Sequence, residues 1–215
     1  MATLTERLQR CYASAVHDVL REMGHGDCVL PPEIRLIDPS RRLAGEIYTV
    51  GGQIDRTLSR HDSLLLWARV LSRVPGDKVD VWQPNTRAVA LMGELSAHAL
   101  MAKGTLGYIV DGHARDVEQL LDMNFPVAAD LATAADIVER WRYTSLGEPI
   151  TIGQVTIRSG DYAVVDRDGA VIVPAEMAEE AVARTEAVMA TESDMRKAII
   201  DGMDAEEAYL KFGKF

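Results

Sequence analysis

The spacing of hydrophobic residues predicts two helices in the N-terminal third of the chain. Apolar residues recur at helical spacing over residues 4–22 and again over 61–72. Between these segments, residues 25–42 are rich in turn-forming residues, and residues 43–52 have the composition of a strand. This part of the chain is therefore predicted to run helix, loop, strand and helix.

The centre of the chain alternates short apolar runs with helical segments. The apolar runs are residues 87–92, 106–110 and 125–130, and the helical segments between them are 95–103 and 117–123. Strands that alternate with helices pair in parallel, so a β-α-β-α-β unit is predicted. Ligands of parallel sheets bind outside the carboxyl ends of the strands. The two β-α junctions are therefore candidate positions for a functional site.

From about residue 148 the pattern changes to that of antiparallel hairpins. Strand-like runs separated by glycines continue to residue 174, and the DRDG sequence at 166–169 is predicted to be a hairpin turn. A calcium loop of the EF-hand type would need an acid at its twelfth position, where this chain has Met177. A long helix from about residue 175 to 200 and a short one, AEEAYLKFG, complete the pattern.

Composition and charge restrict the class of protein. The 215 residues are 47% hydrophobic and 26% charged, which predicts one folded domain over residues 1–215. The net charge of -10 argues against a broad nucleic-acid-binding surface, and the apolar runs are too short for a membrane span. The first twenty residues lack a signal-peptide pattern, and Cys11 and Cys28 lack the spacing of a zinc site or a disulfide framework. We therefore expect a cytoplasmic protein with free thiols.

Charged residues lie at both predicted β-α junctions. Glu94 stands at the first junction, and Arg115 and Asp116 stand at the second. If the two loops are neighbours at the sheet edge, these side chains converge. Carboxylates and waters are ligands that Mg²⁺ prefers, and a guanidinium group holds a carboxylate in a bidentate fork. Together with the free N–H groups of the helix that begins near Leu95, this set suits the carboxylate and keto oxygen of a 2-oxo acid.

The same residues also have a purely structural interpretation, which the local pattern alone favours. Asp116 could be the N-cap of the following helix, with Gln119 three residues later as in a capping box. Arg115 would then be its solvated neighbour, and Glu94 an acid in the first turn of a helix, where the helix dipole favours it. Local pattern leaves both interpretations open.

Several stretches, spread over most of the chain, resemble one known family. They read LPPEIRLIDPSRRLAG, GELSAHALMAKGTLGYIVDGHARDVEQL, FPV, GQVTIRSGDYAVVDRDGAVIVP and RKAIIDGM…EEAYLKFG. With these stretches the chain resembles the RraA-like proteins, which include the 4-hydroxy-4-methyl-2-oxoglutarate / 4-carboxy-4-hydroxy-2-oxoadipate aldolases and the regulators of ribonuclease E activity. The most specific feature is an acid, twenty residues, then Arg-Asp, which here is Glu94 followed by Arg115 and Asp116.

The resemblance implies a fold, an activity and an assembly. The fold is α/β, a three-layer β/β/α sandwich of the swivelling-domain type with a C-terminal helical tail. The activity is that of a divalent-metal-dependent, class II type aldolase that cleaves a 4-hydroxy-2-oxo acid to pyruvate and a second carbonyl compound, with oxaloacetate decarboxylation as a side activity. The assembly is a homotrimer or homohexamer in which the helices from about residue 175 contact a neighbouring subunit. The alternative is a non-catalytic regulator that binds a ribonuclease, but that branch is expected to carry glycine where this chain has Glu94.

The resemblance also implies a role for individual residues. Asp116 anchors Mg²⁺ or Mn²⁺, Arg115 contacts the substrate oxygen at which charge develops, and Glu94 holds a metal-bound water that acts in proton transfer. Aspartate is the more familiar acid at position 94, and the extra methylene of glutamate shifts what that side chain holds. The backbone amides expected to bind the pyruvate carboxylate are those of Gly93, Leu95 and Ser96. Glu192 of a neighbouring subunit is predicted to be a second metal ligand.

Two histidines near these residues are expected to take no part in the chemistry. His113 lies within the DGHARD sequence and is predicted to be a partly exposed loop side chain. His98 falls on the helix 95–103 and is predicted to be a packed or surface residue of that helix rather than a ligand.

Overall fold

A computed structural model of the chain describes residues 2–213. The strands β1 to β12 are Arg35–Leu36, Leu43–Ile54, Val79–Gln83, Ala90–Met92, Gly107–Val110, His113–Ala114, Val127–Ala129, Trp141–Leu146, Ile150–Ile152, Val155–Ile157, Tyr162–Asp166 and Gly169–Val173. The helices α1 to α7 are Leu4–Leu8, Ala13–Glu22, Arg60–Arg73, Glu94–Ala102, Val117–Asp122, Ala178–Ile200 and Ala205–Phe212.

Eight of the strands form one mixed sheet. Its order is β1-β7-β5-β3-β2-β11-β12, and β8 pairs with the second half of β2. The four strands β2, β3, β5 and β7 run parallel to one another, whereas β1, β8, β11 and β12 pair antiparallel. The register of β2 against β8 shifts between Gly51 and Gly52, where a Cβ atom on Gly52 would lie 1.9 Å from the Trp141 ring. The glycine pair therefore allows the close backbone approach that its sequence predicts.

Three layers are held together by separate hydrophobic clusters. One cluster lies between the sheet and helices α3, α4 and α5, and a second lies between the sheet and the β9–β10 hairpin. A third joins α1, α2 and α6 to β11 and β12. The predicted α/β fold with β/β/α layers and C-terminal helices is confirmed. Within residues 2–213, none of the helices is both long and apolar enough to cross a bilayer.

Some predicted elements are wrong in detail. The helix expected over residues 4–22 is two helices, because the chain turns between Leu8 and Ala13. Strand β3, Val79–Gln83, lies in the middle of the sheet and is absent from the sequence prediction, because Asp80 interrupts its apolar run. Strand β8 was also missed.

The predicted unit of three adjacent parallel strands is wrong in one important respect. Residues 87–92 contain the short strand β4, which lies outside the main sheet and pairs in parallel with β6, His113–Ala114. The neighbour of β5 in the main sheet is instead the unpredicted β3. The two β-α junctions therefore meet through the small β4–β6 ribbon.

Candidate active site

The β4–β6 ribbon brings the two charged junctions together. In this ribbon Met92 is paired with Ala114, and the backbone N–H of Arg115 donates a 2.8 Å hydrogen bond to the Met92 carbonyl. The chain leaves the ribbon on one side into Gly93 and α4, and on the other into Arg115, Asp116 and α5. Glu94, Arg115 and Asp116 are thereby brought to the same end of the ribbon.

Asp116 is bound to the start of α4 rather than to its own helix. Its Oδ2 accepts a 3.1 Å hydrogen bond from the backbone N–H of Glu94, the first residue of α4, and its side chain makes no capping bond to α5. Its φ of 55° is left-handed, a conformation that is sparsely populated for residues other than glycine and that occurs often at functional sites. The interpretation of Asp116 as an ordinary side-chain N-cap with Gln119 is therefore wrong.

Gly93 makes this contact possible. A Cβ atom at this position would lie 2.6 Å from Asp116 Oδ2 and 2.9 Å from Arg115 Cγ. Both distances are shorter than real Cβ contacts, so any side chain here would have to displace the side chains of Asp116 and Arg115, whereas the extended backbone angles of Gly93 do not themselves require glycine.

Arg115 lies between two carboxylates. Its Nε is 3.3 Å from Asp116 Oδ1, and its Nη1 is 3.9 Å from Asp136 Oδ2. The side chain is 37% exposed, so part of the guanidinium group remains available to a ligand. Asp136 had no sequence signal, because it lies in the irregular segment between β7 and β8.

Glu94 points towards solvent from the first turn of α4. Its carboxylate is 44% exposed and lies 3.9 Å from His98 Nε2, one helical turn later. His98 is 60% exposed, as expected of a surface residue of this helix.

Three of the charged residues described above line a cleft of about 280 Å³ with a mixed polar and apolar lining, and Glu94 adjoins it between Gly93 and Leu95. Leu64 and Trp67 of α3 supply part of the apolar lining. Trp67 Nε1 donates a 3.0 Å hydrogen bond to Ser96 Oγ, which fixes the start of α4 against α3. The remaining lining residues are Ala90, Leu91, Met92, Gly93, Leu95, Arg115, Asp116, Asp136, Ile137 and Val138.

The start of α4 offers backbone donors to this cleft. Leu95 and Ser96 are the second and third residues of the helix, and N–H groups in the first turn have no carbonyl partner within a helix. Together with the positive end of the helix dipole, these N–H groups favour the binding of an anion. The residues predicted to bind the substrate carboxylate thus lie along the cleft.

A larger, basic cavity adjoins the cleft and was missed from the sequence. It measures about 650 Å³ and shares Asp136 and Val138 with the cleft. Its three arginines come from the β2–α3 connection, the start of α3 and the segment before β8; they are Arg56, Arg60 and Arg140. Across residues 2–213, none of their guanidinium groups forms an ion pair with a carboxylate.

Glu192 lies on α6 and contacts the N-terminal part of its own chain. It accepts a hydrogen bond from the Tyr12 hydroxyl group. Burial, followed by this hydrogen bond, raises the pKa of Tyr12 to about 12. Among the described residues that line the cleft, none belongs to α6. The assignment of Glu192 as a ligand from a neighbouring subunit stays a prediction.

The carboxylates of the cleft suit an open metal site rather than a closed one. Within the described part of the chain, no group of three or more His, Cys, Asp or Glu side chains is arranged to hold a metal ion. Mg²⁺ is commonly bound by one or two carboxylates, with waters and substrate oxygens completing its coordination. Asp116, which lines the cleft, fits as one such carboxylate, and the partly exposed Glu94 stands beside it as the first residue of α4.

His113 differs from its expected loop position. It is the first residue of β6, its side chain is only 15% exposed, and its Nε2 lies 3.9 Å from Asp130 Oδ2. The side chain is partly exposed as expected, but the expected loop position is wrong, because His113 pairs with β4 as the first residue of β6.

Comparison with known proteins gives the family. The family profile described as RraA-like, Aldolase/RraA, matches residues 13–172. Protein DlpA of Legionella pneumophila subsp. pneumophila is 26% identical over 211 residues, which cover 97% of this chain but only 33% of DlpA. A provisionally named 4-hydroxy-4-methyl-2-oxoglutarate aldolase of Halalkalibacterium halodurans is 30% identical over 152 residues, 70% of this chain and 71% of that protein.

A solved structure shares the fold over nearly the whole chain. Streptomyces coelicolor RraAS2, described as an unusual member of the RNase ES inhibitor RraA protein family, has a TM-score of 0.79 and 26% identity over 90% of this chain and 96% of that chain. Since the family profile also covers well over half of the sequence, the chain belongs to the RraA-like family.

Proposed function

We propose that this protein is a divalent-metal-dependent lyase that cleaves a 4-hydroxy-2-oxo acid to pyruvate and a second carbonyl compound. The observation that supports the proposal is the contact of Asp116 with the backbone of Glu94 at the start of α4, beside the cleft that Asp116 and Arg115 line. This set combines an anion site, a cation and two carboxylates, which are the groups needed to bind a 2-oxo acid and to stabilise charge on its oxygens.

Each residue at or beside the cleft has its own role in the proposed reaction. The N–H groups of Leu95 and Ser96 hold the C1 carboxylate of the substrate, and Arg115 stabilises negative charge that develops on substrate oxygen. Glu94, directly or through a water, accepts the proton of the 4-hydroxyl group. The C3–C4 bond then breaks, its electron pair moves into the C2–C3 bond to form the enolate, and C4 becomes the carbonyl carbon of the second product. Protonation of C3 completes pyruvate.

Asp116 is the residue of this chain best placed to hold Mg²⁺ or Mn²⁺. When bound, such an ion supplies Lewis-acid stabilisation of the negative charge on the 2-oxo oxygen. Asp116 Oδ2 already accepts the Glu94 N–H, so the carboxylate is oriented before any ligand binds. The proposal that Glu192 of a neighbouring subunit adds a second carboxylate belongs with the proposed trimer or hexamer.

The basic cavity favours a second product that carries a carboxylate. Arg56, Arg60 and Arg140 supply three positive charges next to the cleft, against the two carboxylates of Asp136 and Glu139. A neutral aldehyde would leave these guanidinium groups without a partner, whereas a 2-oxo acid would pair with them. Oxaloacetate can use the same site with loss of carbon dioxide, since its C3–C4 bond breaks to the same enolate.

The direct test is pyruvate release from 4-carboxy-4-hydroxy-2-oxoadipate and from oxaloacetate, with Mg²⁺ and after EDTA treatment. We expect turnover that EDTA abolishes and Mg²⁺ or Mn²⁺ restores. Asp116→Ala should abolish this turnover with the fold retained, and Asp122→Ala, at an exposed aspartate on α5, should leave it intact. The proposal fails if a panel of 4-substituted 2-oxo acids yields no metal-dependent pyruvate.

The second candidate function is regulation of a ribonuclease without catalysis. It is favoured by the likeness to RraAS2, whose description names an RNase ES inhibitor family. This second function would be favoured over the lyase if the protein inhibits a purified ribonuclease of the E/S type and turns over no 2-oxo acid. The inhibition should then be unchanged in Asp116→Ala.

A further inference from the structure

Arg87 joins the ends of two strands beside the candidate active site. Its Nη2 lies 3.2 Å from Asp111 Oδ1, and its Nε lies 3.2 Å from Asp130 Oδ2. Asp111 directly follows β5, and Asp130 directly follows β7, so both carboxylates stand at the carboxyl edge of the parallel strands. One guanidinium group thus bridges two neighbouring strand ends through two different nitrogens.

The two carboxylates depend on this cation. The Asp130 side chain is only 8% exposed, and the Nε2 atom of His113 lies 3.9 Å from its Oδ2. The second ring nitrogen of His113, Nδ1, is buried and has no hydrogen-bond partner among residues 2–213. A buried carboxylate that loses its cation is costly, and a second carboxylate nearby adds repulsion. Without Arg87, Asp111 and Asp130 would therefore be driven apart.

The segment between these carboxylates leads directly to the active-site residues. Asp130 N–H donates a 2.9 Å hydrogen bond to the Gly112 carbonyl, and Ala114 N–H donates a 3.0 Å bond to the Leu131 carbonyl. On the other side, Arg115 N–H is bonded to Met92 of β4, the strand that follows Arg87 in the chain. The segment that carries Arg115 is thus held between β4 and the residues that follow β7. Arg87 precedes β4 in the chain and forms an ion pair with Asp130, the first residue after β7.

We propose that Arg87 is a positioning residue for Arg115 and Asp116. By bridging Asp111 and Asp130, it fixes the backbone of residues 111–116 against β4, and with it the contact of Asp116 with the Glu94 N–H. This inference rests on the proposed lyase function for its kinetic consequence, but its structural part, the local ordering of residues 111–116, stands without it.

The consequence for catalysis is an effect on turnover. Arg87 does not line the cleft, so the N–H groups that bind the substrate carboxylate are unaffected by its removal. A displacement of about 1 Å of a catalytic group lowers the rate by about a hundredfold. Arg87→Ala should therefore lower kcat by about ten- to a hundredfold, while KM changes little.

The experiment compares Arg87→Ala, Arg87→Lys and a control, Arg69→Ala, at an exposed arginine of α3. We expect Arg87→Lys to recover part of kcat, since an ammonium group carries the charge but lacks the two-nitrogen fork. Guanidinium ions added at millimolar concentration should raise kcat of Arg87→Ala but not of Arg69→Ala, because the Arg87 site is half exposed and can take the ion.

Amide hydrogen exchange supplies the readout that needs no substrate. In Arg87→Ala, exchange at Ala114 and Arg115 should become faster while exchange in β11 and β12 is unchanged. Wild-type kcat and wild-type exchange in Arg87→Ala would overturn the inference, as would faster exchange throughout the molecule without rescue by guanidinium. If the wild-type protein turns over no 2-oxo acid, the proposed function fails, and the exchange result still decides the role of Arg87.

Discussion

Asp80 lies in the interior of the protein on the central strand β3, with no exposed surface. Burial raises the pKa of its carboxyl group from 3.8 to about 8, and the positive charge of Lys103 offsets part of this increase. Neither carboxyl oxygen has a hydrogen-bond partner among residues 2–213. Asp80 is therefore expected to be protonated in the native protein at neutral pH, whereas in the unfolded chain it is ionised.

This difference makes the free energy of unfolding depend on pH. The pKa of Asp80 is higher in the native protein than in the unfolded chain. Its protonated carboxyl group therefore contributes to stability in full below the unfolded-state pKa, and this contribution is lost as the pH rises to the native-state pKa. One pKa unit corresponds to about 1.4 kcal/mol, so Asp80 lowers the stability by about 1.4 kcal/mol for each pH unit from about pH 4 to about pH 8. From about pH 5 to about pH 7, the loss amounts to about 3 kcal/mol.

Asp80→Asn should remove this dependence, because an amide does not titrate. Urea unfolding at a series of pH values should show the stability of the variant relative to the wild type rising by about 3 kcal/mol from about pH 5 to about pH 7. Asp122→Asn, at an exposed aspartate, serves as the control and should run parallel to the wild type. A stability difference that is the same at every pH would refute the reasoning, as would a carboxyl carbon resonance of Asp80 that titrates near its ordinary pKa in the wild-type protein.

Three further predictions concern the cleft and the basic cavity next to it. Gly93→Ala should lower turnover by about a hundredfold, because the new Cβ atom would displace Asp116 Oδ2, which lies 2.6 Å away. The control is Gly26→Ala, whose new Cβ atom would meet ordinary contacts at 3.6 Å, and equal steady-state rates for the two variants would contradict the packing argument. Glu94→Gln should lower kcat by about 10²–10⁴-fold while pyruvate binding, measured by calorimetry, is kept; an unchanged kcat would exclude Glu94 as the proton acceptor. The double variant Arg60→Met, Arg140→Met should lower kcat/KM by about tenfold or more for substrates whose second product carries a carboxylate, and kcat/KM should be unchanged for substrates that release a neutral aldehyde. Equal losses of kcat/KM for both classes of substrate would exclude the basic cavity as a subsite.

The helices and hairpins followed from local sequence. Helices α3, α4 and α5 and the hairpins β9–β10 and β11–β12 lie where hydrophobic spacing and glycine turns predict them. The DRDG sequence is the turn of a hairpin, with Asp166 paired to Gly169. These elements depend on contacts between residues close in the chain, which is why a single sequence is sufficient to predict them.

The candidate site was only partly visible from the sequence. The spacing of Glu94 and the Arg115-Asp116 pair, together with the family resemblance, was enough to select three residues that the fold brings to one end of the β4–β6 ribbon. Asp136 and the arginines of the basic cavity could not be selected, because they lie in segments without periodic pattern and join the site only through the fold.

Tertiary structure alone decided how the two charged junctions meet. The sequence by itself determined that strands and helices alternate in the centre of the chain and that charged residues follow two of the strands. It could not place β3 at the middle of the sheet, since a buried aspartate interrupts the apolar run, nor pair β4 with the two-residue strand β6. Strand order and the left-handed backbone of Asp116 depend on contacts between distant segments, and those contacts exist only once the chain has folded.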